Sequence, residues 1–192
     1  MSAMGYAAES GIPFELGIIR NHYVGRTFIE PTDSIRHLGV KLKHSANRGV
    51  LEGKRVVLVD DSIVRGTTTR AMVSMLREVG AAEIHMRVSS PPYRWPCHFG
   101  MDTGTRGELL AANLTVDEIR EYLNVDSLAY LQLDRLVDAT GAVGAGFCDA
   151  CLTGTYPVAI PVGLRQSSEL PVVVVPTATA QTLFGALAPV EY

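Results

Sequence analysis

Apolar and polar positions change their period several times along the chain, and each change marks a predicted element. Three short apolar runs predict strands: residues 14–20, 55–61 and 83–90. The run RVVLVDD at 55–61 is almost continuously β-branched, which is typical of a strand buried on both faces of a parallel sheet. Between the last two runs, Met72, Met75, Leu76 and Val79 recur at helical spacing and predict one apolar helix face over residues 67–79.

The strand–helix–strand order predicts an α/β fold with a parallel sheet flanked by helices. Further along, Thr115 and Glu118 have the spacing of a capping box that opens a helix through about Leu123. Residues 127–140 predict a short strand and then a helix, and the glycine-rich residues 141–146 predict a link. We divide the chain into 1–140, an α/β domain, 141–160, a cysteine-containing segment, and 161–192, a tail of unknown role.

Composition narrows the class of protein without naming a function. Of the 192 residues, 47% are hydrophobic and 19% are charged, as in ordinary globular proteins. The net charge of −3 gives no reason to expect a nucleic acid or an anionic membrane as partner. No apolar run is long enough to cross a bilayer, and no export signal follows Met1, so we expect a cytoplasmic protein.

Two adjacent acids, Asp60 and Asp61, end the strand at 55–61 and are followed by small and hydroxylated residues. Ligands of open α/β sheets bind beyond the carboxyl ends of the strands. The amides at the start of the next helix favour a phosphate, and Gly66 allows close backbone approach. Two carboxylates beside a phosphate cradle suit a ligand that also presents hydroxyl groups or a divalent cation, as a ribose 5-phosphate does. The simpler interpretation is that the acids only cap the helix.

The string VVLVDDSIVRGTTTR at 56–70 resembles the phosphoribosyl pyrophosphate (PRPP) signature of type I phosphoribosyltransferases. Its SIVRGTT portion is similar to glutamine-dependent amidophosphoribosyltransferases in particular. The same family resemblance extends over roughly residues 5–157, through 11–32, 39–70, 89–109, 126–136 and 148–157. It implies a type I phosphoribosyltransferase fold, incomplete at its N-terminus, and a pentosyltransferase that transfers ammonia from glutamine to PRPP, giving 5-phosphoribosylamine, the first step of purine synthesis.

The resemblance also implies roles for individual residues. Asp60 and Asp61 would hold the ribose hydroxyls and Mg²⁺. The loop that follows would bind PRPP through its 5-phosphate: Ser62, Ile63, Val64, Arg65, Gly66, Thr67 and Thr68.

The strongly basic stretch from Gly17 to Arg55 resembles the flexible catalytic loop of the family, which closes over PRPP. Tyr23 and Arg26 match its motif, and Arg20 stands where many members have lysine. The charge excess by itself favours a solvated basic surface, whereas its place one strand before a phosphate site favours a loop that neutralises pyrophosphate and excludes water.

Cys97, Cys148 and Cys151 are the three cysteines of the chain. Their spacing alone is compatible with free thiols or with zinc. The WPC context of Cys97 and the CxxC before TGTYP resemble the ligand contexts of a 4Fe-4S cluster in some family members. The fourth ligand and the glutaminase nucleophile of that family would lie upstream of this chain, and so would the first strand of its core.

We therefore expect a C-terminal fragment that cannot hydrolyse glutamine and has little transferase activity alone. Expected partners are PRPP, ammonia or glutamine, purine nucleotides as feedback ligands, and further copies of the chain in the intact enzyme. Two alternatives remain open at this point: another type I phosphoribosyltransferase that accepts a nucleobase, and a non-catalytic domain that binds PRPP or a nucleotide.

Overall fold

The computed structural model describes residues 1–21, 44–101, 103, 105–141, 146–160 and the backbone of 173–174. A three-stranded parallel sheet lies at its centre. Strand β3 (Arg55–Asp60) pairs with β4 (Glu83–Val88), and β4 pairs with β5 (Ser127–Tyr130). In this register Asp60 lies opposite Val88, and Val88 lies opposite Tyr130, so the three strands end together at one edge of the sheet.

Seven helices and one 3-10 turn lie along the described residues. Their bounds are α1 Ser2–Ser10, α2 Arg48–Leu51, α3 Thr67–Glu78, a 3-10 turn at Arg106–Glu108, α4 Leu110–Asn113, α5 Val116–Leu123, α6 Leu133–Asp138 and α7 Ala150–Thr153. Of these, α3, α5 and α6 correspond to the helices predicted over 67–79, from Thr115 to about Leu123 and within 127–140. Four further short strands complete the elements: β1 Ile18–Arg20, β2 His44–Ala46, β6 Thr155–Tyr156 and β7 Val173–Val174, and β6 pairs in parallel with β7. The α/β fold with a parallel sheet flanked by helices is confirmed.

One face of the sheet packs against α3 and α5 to form the main hydrophobic core. Ile84 and Met86 of β4 are fully buried there, together with Leu76 of α3 and Ile119 of α5. Alternate residues of a strand point to opposite faces, so Val56, Leu58 and Asp60 share the face on which α3 packs. The core therefore holds the strand that ends in Asp60 against the helix that follows it.

The buried face of α3 differs from the predicted stripe. Leu76 is buried as expected, but Met72, Met75 and Val79 are only half-buried. The structure buries Thr69, Ala71 and Val73 in their place. These side chains are shorter than methionine, so the helix can lie close to the sheet.

The capping box of α5 forms as predicted. The Thr115 amide donates to the Glu118 carboxylate at 2.7 Å, and the Glu118 amide donates to the Thr115 hydroxyl at 3.3 Å. Nearby, the carboxylate of Asp126 accepts the Ile84 amide and the Arg77 guanidinium, both at 2.6 Å. These contacts tie the start of β5 to α3 and β4.

The predicted strand at 14–20 is shorter in the structure and has an antiparallel partner. β1 pairs with β2, with Arg20 opposite His44. The sequence analysis did not predict β2, because His44–Ala46 has neither an apolar run nor a clear alternation. Residues 22–43, which contain most of the predicted catalytic loop, and residues 142–145 and 161–172 lie outside the described residues. The predicted division at 140 and 160 stays a prediction.

Candidate active site

The two acids of the predicted site lie at the carboxyl end of β3, with different exposure. Asp60 is half-buried and Asp61 is exposed. The Asp61 amide donates to Oδ1 of Asp60 at 3.0 Å. Burial raises the pKa of the Asp60 carboxyl to about 6; the hydrogen bond from the Asp61 amide opposes this rise and the Asp61 charge adds to it. Asp60 is therefore the more weakly solvated member of an acidic pair that is open to a ligand on the Asp61 side.

Ser89, which the sequence analysis did not assign, fixes the same end of β3. Its amide and its hydroxyl both donate to the carbonyl oxygen of Asp60, at 2.9 Å and 3.2 Å. Because Ser89 directly follows β4, this contact joins the end of β4 to the end of β3, where the acidic pair begins. This contact holds the Asp60 backbone in place beyond the last pair of the sheet.

The turn from β3 to α3 is built around Gly66. This glycine has φ +75, a left-handed conformation that favours glycine, and a Cβ there would lie 2.7 Å from Cδ2 of Leu110. Ile63, only 2% exposed, anchors the other side of the turn in the core. The Ser62 hydroxyl donates to Oδ1 of Asp61 at 3.0 Å. The turn is thus packed from behind, and its backbone is held close to the acids.

Helix α3 begins immediately after Gly66. No side chain caps this helix. The amides of the first turn of an α-helix have no partner within the helix, and the helix dipole adds partial positive charge there. Thr67 and Thr68 are half-buried at this end, whereas Thr69 is buried in the core. The amides and the Thr67 and Thr68 hydroxyls can hold a phosphate next to the acidic pair.

Arg65 has a partner within the protein. Its Nε donates to the carboxylate of Glu108 at 2.7 Å, and the Val64 carbonyl accepts the Leu110 amide at 2.8 Å. The sequence analysis missed Glu108, since nothing in the pattern links two residues 43 positions apart.

The predicted loop residues are placed only in part. Arg20 ends β1 and is exposed. Tyr23 and Arg26 lie outside the described residues, so their predicted roles stay predictions.

The segments that carry Cys97 and Cys151 lie against each other. The amides of Arg94 and Trp95 donate to the Cys151 carbonyl at 3.1 Å and 3.0 Å, which brings the segment before Cys97 against α7. The Phe99 amide donates to the sulfur of Cys97 at 3.4 Å. Burial raises the pKa of the Cys151 thiol. Cys148 is exposed, and all three cysteines are free of disulfides.

Within the described residues, which include Cys97, Cys148 and Cys151, no three His, Cys, Asp or Glu side chains form a group that could hold a metal ion. The acidic pair therefore offers two protein ligands, and the substrate oxygens or water would have to supply the rest. The same residues contain no helix that is both long and apolar enough to span a bilayer.

Comparison with known proteins agrees with this geometry. Residues 9–90 match the family model described as the phosphoribosyl transferase domain. The chain is 58% identical over 158 residues to amidophosphoribosyltransferase 1, chloroplastic, of Arabidopsis thaliana, covering 82% of this chain and 28% of that protein. It is 53% identical over 163 residues to the amidophosphoribosyltransferase of Bacillus subtilis, covering 83% and 34%. The chain is related to the amidophosphoribosyltransferases.

A solved structure extends this relationship to the fold. The glutamine PRPP amidotransferase from B. subtilis complexed with ADP and GMP superposes with a TM-score of 0.70 at 50% identity. That match covers 84% of this chain and 36% of the other. The chain thus spans about a third of the length of the amidophosphoribosyltransferases that it matches, and it corresponds to their C-terminal phosphoribosyltransferase part. The family resemblance and the type I phosphoribosyltransferase fold are confirmed.

Proposed function

We propose that this chain supplies the PRPP site of an amidophosphoribosyltransferase, the pentosyltransferase that forms 5-phosphoribosylamine from PRPP and ammonia derived from glutamine. The observation that carries the proposal is the direct succession of the Asp60–Asp61 pair, the Gly66 turn and the uncapped start of α3. The proposed sites for the ribose diol, the cation and the 5-phosphate therefore follow one another within a few residues of the chain. The relatives that share this stretch are named for that activity.

Each part of the site has a task in this reaction. Asp60 and Asp61 accept hydrogen bonds from the ribose hydroxyls, and the backbone of residues 62–68 and the Thr67 and Thr68 hydroxyls donate to the 5-phosphate. Mg²⁺, when bound at the acidic pair, would neutralise negative charge on the substrate. Arg20, together with Tyr23 and Arg26, would contact the pyrophosphate as it leaves and would exclude water.

The binding half of this proposal is tested by calorimetric titration of the 192-residue chain with PRPP and Mg²⁺. We expect Asp60→Asn/Asp61→Asn to weaken binding by at least tenfold, because two charged acceptors of the diol and cation are lost. The matched control is Asp117→Asn/Asp138→Asn, which removes the same charge from exposed positions on α5 and α6. Unchanged binding in the site variant, or an equal loss in the control, contradicts the proposal.

Turnover separates this function from a binding-only role and from a nucleobase transferase. Even a low rate of phosphoribosylamine formation from PRPP and ammonia by the wild-type chain, absent in the site variant, supports the proposal. PRPP binding without turnover favours a non-catalytic domain, and a nucleotide product from adenine or hypoxanthine favours another transferase.

We further propose that Cys97, Cys148 and Cys151 supply three thiolates to a 4Fe-4S cluster. The donor set suits the group, since such clusters are held by thiolates and tuned by amide hydrogen bonds to sulfur, as Phe99 donates to Cys97. Anaerobic reconstitution with iron and sulfide, followed by iron analysis and visible absorption, tests this. A single bound zinc ion, or no metal, overturns it.

Purine nucleotides and self-association complete the proposal. The solved relative from B. subtilis is complexed with ADP and GMP, which supports purine nucleotides as ligands of this chain as well. Titration with GMP and sedimentation of the chain test these two points; absence of nucleotide binding or a strictly monomeric chain overturns the respective one.

A further inference from the structure

Residues 106–110 pack against residues 62–66, which we call the predicted phosphate loop. Three contacts join the two segments. Glu108 accepts from Arg65 at 2.7 Å, the Leu110 amide donates to the Val64 carbonyl at 2.8 Å, and the Leu110 side chain fills the space beside Gly66. Leu110 makes two of these contacts, one through its backbone amide and one through its side chain. The ion pair is the contact that a conservative substitution of Glu108 can remove by itself.

The ion pair is partly shielded from water. The Arg65 side chain is 22% exposed and that of Glu108 is 47% exposed. At 2.7 Å the contact is a short charge-assisted hydrogen bond, which is stronger than a neutral one. It also cancels the charge of the one arginine in the loop, so Arg65 is held by Glu108 instead of extending freely towards an anion.

We propose that Glu108 is a positioning residue of the phosphate loop, acting through Arg65 on the backbone that binds the 5-phosphate. This inference rests on the proposed function for its ligand but not for its structural part. In this arrangement affinity for the phosphate comes from ordered amides, and Glu108 keeps them ordered. The opposite arrangement, in which Arg65 binds the phosphate directly and Glu108 competes for it, makes the opposite prediction.

Titrations of the full chain with ribose 5-phosphate and with PRPP plus Mg²⁺ distinguish the two arrangements. We expect Glu108→Gln to weaken binding of both ligands by about threefold to tenfold, because a disordered loop must be ordered by the ligand. Glu108→Asp, which keeps the charge, restores part of the loss. Glu121→Gln is the matched control, since Glu121 also forms an ion pair, with Arg120 at 3.2 Å, but lies on α5 outside residues 62–66 and 106–110. Tighter or unchanged binding by Glu108→Gln overturns the proposal.

Hydrogen exchange gives a second measurement that needs no ligand. We expect amides of the peptide spanning residues 62–68 to exchange faster in Glu108→Gln, whereas those of α5 keep their rates. The control Glu121→Gln should leave the loop peptide unchanged. If the wild-type chain binds neither ligand, the proposed function fails while this measurement still decides the role of Glu108. Equal exchange in the wild type and Glu108→Gln overturns that role.

Discussion

Asp60 shows how a residue of the proposed site can oppose folding. Its carboxyl is half-buried beside a second acid, and burial raises its pKa to about 6 from an ordinary 3.8. Because the folded state takes up the proton more readily than the unfolded one, the ionised carboxylate costs stability at every pH above about 6. That cost disappears as the pH falls towards 3.8.

Replacing this carboxylate by its neutral isostere should therefore stabilise the chain. We expect Asp60→Asn to raise the free energy of unfolding at pH 7.5 by up to about 3 kcal/mol and to have almost no effect near pH 4. Urea unfolding at both pH values measures this. Asp61→Asn is the control, because Asp61 is exposed and its replacement should change stability little. A gain that is the same at both pH values would contradict the burial argument.

At this scale the sequence predicts the acids but not what surrounds them. Asp60 and Asp61 could be assigned because they end an apolar strand next to a phosphate-binding pattern. Glu108 and Ser89 could not, since each acts through a contact with a residue distant in sequence. Arg65 illustrates the difference: its place in the loop was predictable, but the acid that pairs with it depends on tertiary structure.

Among the elements, the β3–α3 turn contains a residue, Gly66, that backbone conformation and packing both constrain to glycine. Gly66 and Gly11 have nearly the same backbone conformation, with φ +75 and φ +71. Their surroundings differ, because a Cβ at Gly66 meets Leu110 at 2.7 Å whereas one at Gly11 meets nothing within 4 Å. The pair therefore separates backbone strain from steric conflict.

We expect Gly11→Ala to lower the free energy of unfolding by about 1 kcal/mol, through left-handed strain alone. Gly66→Ala should lower it by about 2 to 4 kcal/mol, since Leu110 must also move. Urea denaturation of both variants measures the difference. Equal losses of stability at the two glycines would show that Leu110 can move without cost and that its packing does not fix the predicted phosphate loop.

The same scale shows why some elements were predictable and others were not. Helix α5 is specified locally, because its capping box needs only Thr115 and Glu118. Strand β2 is not, because its pairing with β1 supplies the reason for an extended backbone in a polar sequence. Helix α3 was only partly predictable. Its hydrophobic period predicted a helix, but the residues that the tertiary structure buries include Val73 and Thr69 and not the methionines.

For the whole molecule, the sequence pattern predicted one α/β core, and the structure adds a second cluster of buried residues. The main core contains twelve buried residues in the described part of the chain, including Val73 and Leu76. The second contains three, Ala150, Tyr156 and Ile160, packed against Trp95. No hydrophobic period in the sequence predicts this second cluster, because its residues come from segments around positions 95 and 155 that are far apart in the chain.

Unequal core size predicts unequal local stability. Trp95 is the single tryptophan of the chain, so its fluorescence reports the smaller cluster, whereas far-UV circular dichroism reports mainly the helices of the larger core. Because few buried apolar residues hold the smaller cluster, we expect the fluorescence transition at a lower urea concentration than the dichroism transition.

A pair of variants tests that separation. The buried hydroxyl of Tyr156 donates to the Pro96 carbonyl at 2.6 Å, so Tyr156→Phe should lower the fluorescence midpoint, by an amount corresponding to about 1 kcal/mol, and leave the dichroism midpoint in place. Val73→Ala, in the main core, should lower the dichroism midpoint by an amount corresponding to about 1 to 3 kcal/mol. If both variants move both transitions equally, the two clusters unfold as one cooperative unit. Residues 141–160 would then be as stable as strand β3, and unfolding of either part would unfold the other.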